Sequence, residues 1–325
     1  MNEEILKVNN LSVVLNSQGE SYQILDNISF DLKRGETLGV VGESGCGKSM
    51  LANAIMGLIT SPLRVDGGSI WFEDEELSHL SEKEIRRYRG KKIAMIFQDP
   101  MTSLNPIMKC GKQIVETILA HEKVSKKEAR DRSLELIREV GLDNAREIYN
   151  KIPAQLSGGQ RQRIVIAMAL CCKPDLIICD EPTTALDVVI QKQILILIKK
   201  LVKEKDAACI FISHDMGVIA NMADRVMVMY AGQVVEYADK KGVFLNAAHP
   251  YSIALKASLP QNAKEKERLN EMKGNVPMLN DLPKGCLFAP RCPHADWRCK
   301  QNRPELKNVH GHYRRCFKKL EEVRA

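Results

Sequence analysis

The sequence predicts an α/β fold, and three observations carry that prediction. Short apolar runs at 38–42 ("LGVVG"), 175–182 ("DLIICDEP") and 209–215 ("CIFISHD") read as buried strands of a parallel sheet. A glycine-rich loop, "GESGCGKS" at 42–49, sits between the first of these and a helical stretch. Near the start, "LKVNNLSVVLNS" and "YQILDNISFDLKRGE" alternate apolar and polar residues, the mark of half-buried strands.

In chain order, the loop at 42–49 is followed by a predicted helix over about 49–58, and "KIAMIFQD" at 92–99 reads as a further strand. A mostly helical region follows. In it, "SKKEARDRSLELIREVG" has Ser125 as N-cap, Glu128 three residues on and Gly141 as the stop. A helix is predicted over about 188–204, and "RVMVMYAGQVVEYAD" reads as a hairpin turning at Ala231-Gly232. The charged stretch "QNAKEKERLNEMKGN" after Pro260 reads as a linker, and no internal repeat is visible.

With 325 residues, the chain can hold one large α/β domain and an accessory region. Its 44% hydrophobic and 27% charged residues are ordinary for a globular protein. The start, "MNEEILKVNN", does not read as a signal peptide, and no apolar run reaches roughly 18 residues, so no spanning helix and a cytosolic location are expected. Residues 261–325 hold 15 Lys/Arg and 8 Asp/Glu, which is the whole net charge of +7. Such a tail suits an acidic partner, nucleic acid, an anionic membrane or plain solvation.

The loop at 42–49 matches G-x-x-x-x-G-K-[ST] in the strand–loop–helix context that the motif requires. Backbone N–H groups at Gly42, Ser44, Gly45, Cys46 and Gly47 can wrap phosphates, and the helix start through Ser49 and Met50 adds positive potential. Lys48 is placed to reach the β- and γ-phosphates, and the Ser49 hydroxyl to ligate Mg²⁺. A thiol at Cys46, beside Lys48 and a helix N-terminus, is expected to have a lowered pKa. The strand ending in Asp180 and Glu181 supplies a Mg²⁺ ligand and a candidate base for the attacking water. Alone, that pair would read as a solvated strand end; beside a phosphate loop it reads as catalytic.

"LSGGQ" at 156–160 resembles the signature motif of ABC ATPases. Ser157 can cap the next helix, while Gly158, Gly159 and Gln160 let its N-terminus approach an anion. The resemblance, over residues 1 to about 240, implies an ABC-type P-loop ATPase domain: a RecA-like core, an antiparallel β subdomain, and a helical subdomain at about 99–155. It also implies that Gln98 touches Mg²⁺ and couples to the membrane partner, that Asp187 is the D-loop aspartate, and that His214 contacts the γ-phosphate. Members often stack adenine on an aromatic residue at the end of the first strand. Here that position falls near Leu15, and Tyr22 is the nearest aromatic.

"FQDPMTSLNPIM" (97–108), "HPYSIALKASLP" (249–260) and the late cysteines resemble the ATP-binding subunits of dipeptide/oligopeptide permeases. That implies ATP-driven import of di- or oligopeptides, two transmembrane permease subunits, and a second ABC ATPase subunit, identical or related. It also implies an extracellular peptide-binding protein acting indirectly and a peripheral place on the cytoplasmic face of the membrane. Related ATPases serve nickel and oligosaccharide importers. A soluble relative acting on nucleic acid would carry two ATPase domains or a coiled coil, and neither is present.

Cys286, Cys292, Cys299 and Cys316 lie in the region 241–325, with gaps of five, six and sixteen residues. In a reducing compartment two disulfides are disfavoured, so a metal is expected. Zinc usually takes one tight Cys knuckle. The wider gaps suit a [4Fe–4S] cluster, and the spacing is similar to the cluster-binding tails of dipeptide-permease ATPases. Zinc, with His294, His310 or His312, and unmetallated thiols are the alternatives. The expectation is thus a small, irregular, metal-stapled C-terminal region. Cys110, Cys171, Cys172, Cys179 and Cys209 read as core residues.

Overall fold

The computed structural model describes residues 4–17, 19–184, 186–258 and 272–324. Most of the linker read at 261–275, and Ala185 of "TTALD", lie outside the described residues. In chain order the strands are β1 (Glu4–Ser17), β2 (Glu20–Lys33), β3 (Thr37–Val41), β4 (Leu63–Phe72), β5 (Glu75–Glu76) and β6 (Ile93–Ile96). They continue as β7 (Leu176–Asp180), β8 (Ala208–Ser213), β9 (Arg225–Tyr230), β10 (Gln233–Asp239), β11 (Lys307–Val309) and β12 (His312–Arg314).

The chain forms two compact units, each drawn from separate segments. One comprises Lys33–Glu36 and His79–Ile210 with the first residues of β1. In it β6 pairs in parallel with β7, Ile93 opposite Leu176, and β8 begins beside β7. Both strands are buried end to end: Ile93, Ile96 and every residue of β7 lie in the core. Helices Cys110–His121, Lys126–Glu139 and Ala145–Asn150 occupy the stretch expected to be helical. The Ser125 hydroxyl accepts the Glu128 N–H at 3.1 Å, and the helix ends at Glu139, just before Gly141. The long helix Val188–Glu204 has the predicted bounds.

The other unit comprises Leu6–Leu32, Thr37–Ser78 and Phe211–Ala325. It contains a sheet of order β2-β1-β4-β5, with β1 antiparallel to β4. A second array runs β11-β12-β10-β9-β3, in which β3 and β9 are parallel and the remaining pairs antiparallel. The β9–β10 hairpin turns at Ala231 (φ 44°) and Gly232 (φ 79°), the two left-handed residues of a tight hairpin turn.

The cysteine-bearing region is docked on this unit. Strand β12 adds to β10, Tyr313 opposite Tyr237. The Glu236 carboxylate is fully buried. It accepts the backbone N–H groups of Ala248 (2.8 Å) and His249 (2.9 Å) and meets His312 Nε2 at 2.7 Å. Phe288 closes an aromatic cluster with Tyr230 and Tyr251, centroids 4.7–5.3 Å apart.

His249 caps the helix Pro250–Ala257, its Nδ1 accepting the Tyr251 N–H at 3.1 Å. Burial pushes this imidazole from 6.5 down to about 4, against the pull of nearby Glu236. Between those pH values the unfolded chain binds a proton that the folded chain refuses. This residue's contribution is therefore complete above pH 6.5 and falls by ~3 kcal/mol as the pH approaches 4. Asn at position 249 keeps a capping acceptor and does not titrate. Urea unfolding of His249→Asn should show a shallower loss of stability across this window, and a pH dependence equal to the parent's would refute the assignment.

Candidate functional site

In the second unit, the loop at 42–49 joins β3 to the helix Lys48–Ile55. A side chain at Gly42 would lie 2.2 Å from the Met229 carbonyl and 2.7 Å from Cys46 Sγ, so the loop can pass there only without one. Gly47 stands at φ 99° as the helix N-cap. Lys48 Nζ donates to the carbonyls of Gly42 (2.8 Å) and Glu43 (3.0 Å) within the loop. Ser49 and Met50 follow in the first helical turn.

Glu43 is held from both sides. Its N–H donates to the Tyr251 hydroxyl at 2.9 Å, and its carboxylate takes both terminal nitrogens of Arg291, at 2.6 and 2.9 Å. No feature of the sequence pointed to Glu43, Tyr251 or Arg291. Tyr251 and Arg291 lie 208 and 248 positions from Glu43, and Glu43 occupies a position that the phosphate-loop motif leaves open.

Cys46 is fully buried, which corrects the expectation of a lowered thiol pKa. Burial pushes the thiol up, and the nearby Lys48 ammonium only partly offsets it.

A cavity of about 510 Å³ reaches Ser44 and Gly45 of the loop and the Ala231–Gly232 turn; Leu15, Tyr22 and Ile24 form one side of it. This is within the ~300–1,000 Å³ usual for small-molecule sites. The strand-end position near Leu15 and the nearest aromatic, Tyr22, therefore share one cavity. The Tyr22 hydroxyl donates to Glu20. His214 follows β8 and is exposed, next to Asp215, which caps the helix Met216–Met222.

In the first unit, Ser157 caps the helix Gly158–Leu170 reciprocally: its hydroxyl accepts the Gln160 N–H at 3.3 Å, and the Gln160 carboxamide accepts the Ser157 N–H at 3.1 Å. The two side chains thus shape the helix end, leaving Gly158 and Gly159 as its first residues. Asp187 caps Val188–Glu204 through the Ile190 N–H at 3.0 Å. Asp180 is the buried end of β7. Glu181 then turns left-handed at φ 46°, an uncommon state for a side-chain-bearing residue. Its carboxylate takes hydrogen bonds from Thr184 Oγ1 (3.0 Å) and Gln98 Nε2 (3.4 Å). Gln98 and Glu181 are brought together; Thr184 is a further partner, one that the "TTALD" run could have signalled.

The four late cysteines are free thiols, three of them partly buried and Cys299 buried. Cys286 N–H donates to the Cys299 carbonyl at 2.8 Å, tying two of their loops. Burial raises all four, and Cys292 reaches about 11; the charges of the other three add to the effect at Cys292. Among the described residues, no three or more His, Cys, Asp or Glu side chains stand as a ready-made metal set. The thiols feel one another's charge, so they share one neighbourhood of the C-terminal region.

A family model described as "ABC transporter" matches residues 25–184, and one described as "Oligopeptide/dipeptide transporter, C-terminal region" matches 235–299. The chain is 46% identical to the oligopeptide transport ATP-binding protein AppD of Bacillus subtilis over 98% of both chains. It is 44% identical to the oligopeptide transport ATP-binding protein OppD of Escherichia coli, over 99% of this chain and 95% of that one. It is 46% identical to the dipeptide transport ATP-binding protein DppD of Haemophilus influenzae, over 98% and 96%. Among solved structures, the dimeric ATP-binding cassette MJ0796 bound to ADP and Pi superposes with a TM-score of 0.66 at 29% identity, covering 73% of this chain and all of that one.

The burial of Cys46 has a chemical consequence. Cys172 is only half-buried, and its hydrogen bond with Cys171 lowers its pKa. In the folded protein at neutral pH, iodoacetamide should alkylate Cys172 well before Cys46, as peptide mass mapping would read. Early labelling of Cys46 would contradict the buried, protonated thiol.

Proposed function

The chain belongs to the ABC transporter ATP-binding proteins of oligopeptide and dipeptide transport, and from that premise we propose that it is the ATP-hydrolysing subunit that powers import of di- and oligopeptides across the cytoplasmic membrane. The observation that carries this reading is the loop at 42–49 with Lys48 turned onto it, in a chain that matches peptide-transport ATPases end to end.

The loop's backbone N–H groups receive the phosphates, and Lys48 exchanges its two carbonyl partners for the β- and γ-phosphate oxygens. Ser49 of one unit, and Gln98 and Asp180 of the other, each carry a side-chain oxygen of the kind that would suit Mg²⁺. Bound with ATP, Mg²⁺ offsets the phosphate charge. Glu181, oriented by Gln98 and Thr184, takes a proton from the water whose oxygen attacks the γ-phosphorus. The bond from that phosphorus to the bridging oxygen breaks, and ADP departs. His214 hydrogen-bonds the γ-phosphate. The signature loop, with Ser157, Gly158, Gly159 and Gln160, serves the ATP of a second ATPase subunit, and Asp187 lies in the same exchange between subunits.

Two permease subunits complete the assembly, and a peptide-binding protein acts on it from outside. No helix among the described residues is long and apolar enough to cross a membrane. Phe97, Met101 and Ile107, in the segment that follows β6, expose apolar side chains that a permease subunit can cover. These features support a peripheral place on the cytoplasmic face.

We assign Cys286, Cys292, Cys299 and Cys316 to a [4Fe–4S] cluster. The support is the donor set: four shielded thiols that feel one another's charge, with the Cys286 N–H bond to the Cys299 carbonyl linking two of their loops. When bound, the cluster supplies a covalent cross-link of the region. Protein isolated without oxygen should be brown and contain iron and sulfide in equal amounts. Serine at any of the four positions should abolish the iron, whereas Cys110→Ser should not. A colourless preparation carrying stoichiometric zinc would overturn the iron assignment.

For catalysis, Glu181→Gln in the assembled transporter should keep Mg-ATP affinity and lose phosphate release by about 10²–10⁴-fold. Lys48→Ala should weaken nucleotide binding by at least about 10-fold. Undiminished turnover in Glu181→Gln would remove it as the base.

A further inference from the structure

The cavity beside the phosphate loop is lined in part by the C-terminal region. Val276, Pro277, Met278 and Leu279 line it together with Leu15, Tyr22 and Ile24. Met278 is 76% exposed, and Leu279 is also exposed, so apolar groups that folding would ordinarily hide are left open to solvent. An apolar slot that runs into a phosphate loop matches a flat base attached to phosphates.

The wall is tied to the loop by one side chain. The Arg291 side chain is only 4% exposed. Its two terminal nitrogens hold the Glu43 carboxylate, and its Nε donates to the Lys273 carbonyl at 3.1 Å, three residues before the wall begins. The guanidinium also stands 5.8 Å from the centre of the Tyr230 ring. A planar fork can serve all these partners at once; an ammonium cannot.

We propose that residues 276–279 form the base-contacting wall of the nucleotide site, and that Arg291 is the positioning residue that sets this wall against the phosphate loop. The proposal rests on the ATP-site reading above. It makes the C-terminal region part of nucleotide recognition.

The test compares ATP with inorganic tripolyphosphate, which carries the phosphates without a base, by calorimetric titration of the full chain. Met278→Ala/Leu279→Ala, at exposed positions, should weaken ATP about 10-fold and leave tripolyphosphate unchanged, because the lost contacts are with the base alone. Arg291→Lys should reduce the preference for ATP over tripolyphosphate in the same direction, since it frees the wall. Equal effects of the double variant on both ligands, or no effect of it on ATP, would overturn the wall. Lys48→Ala is the control for the underlying reading and should weaken both ligands. If it weakens neither, the phosphate site falls and the wall with it. If it weakens both while the double variant leaves the ATP preference intact, only the wall falls.

Discussion

The ion pair between Arg291 and Glu43 is the contact on which the surroundings of the phosphate loop depend. A nearly buried guanidinium is costly unless its hydrogen bonds are met. Here they are met by a carboxylate on the loop, by the Lys273 carbonyl, and at longer range by the Tyr230 hydroxyl. Removing one partner of such a pair typically costs ~3–5 kcal/mol, most of it from the charge left behind. The pair therefore says less about net stability than about specificity: it admits one arrangement of loop and tail. Tyr251 adds to it from the backbone side by accepting the Glu43 N–H, so the loop is fixed by partners from two later parts of the chain.

Those partners need a foundation, which the aromatic cluster supplies. Tyr230, Tyr251 and Phe288 are all fully buried and meet edge to face. Burying a side chain such as Phe288 contributes about 1.5–3 kcal/mol. The C-terminal region, expected to carry a metal staple, also shares a core with the rest of its unit: Leu287 and Phe288 are buried, β12 extends the sheet at β10, and Glu236 takes a hydrogen-bond partner from His312. A cluster would reinforce a region that is already docked, which is a different role from making it fold.

What the sequence disclosed follows the range of the physics involved. Local rules worked where the interaction is local. The Ser125 cap, the Val188–Glu204 helix, the hairpin at Ala231-Gly232 and the phosphate-loop geometry each rest on a few neighbouring residues. The signature loop was legible too, although its Ser157 and Gln160 side chains proved to be caps for each other. The Cys46 thiol was misjudged because its neighbours in sequence, Lys48 and the helix start, are outweighed by burial that depends on the whole unit. Arg291 could not be read at all. Its partner lies 248 positions away, and nothing in "CLFAPRC" distinguishes a strut from a surface arginine.

The same contacts explain how Lys48 can act without disturbing its own platform. In the structure its ammonium donates to the Gly42 and Glu43 carbonyls. If those bonds were what kept the loop in shape, moving Lys48 onto a phosphate would loosen the backbone that must grip the same phosphate. Glu43 is instead secured independently by Arg291 and Tyr251, and Gly42 by its close fit against Met229 and Cys46. On the proposed reading, phosphate binding would exchange two neutral acceptors for anionic ones, a gain for the ammonium, with little rearrangement of the loop to offset it. Preorganisation of this kind raises affinity by lowering the ordering cost, and here Arg291 and Tyr251 impose it from outside the phosphate loop.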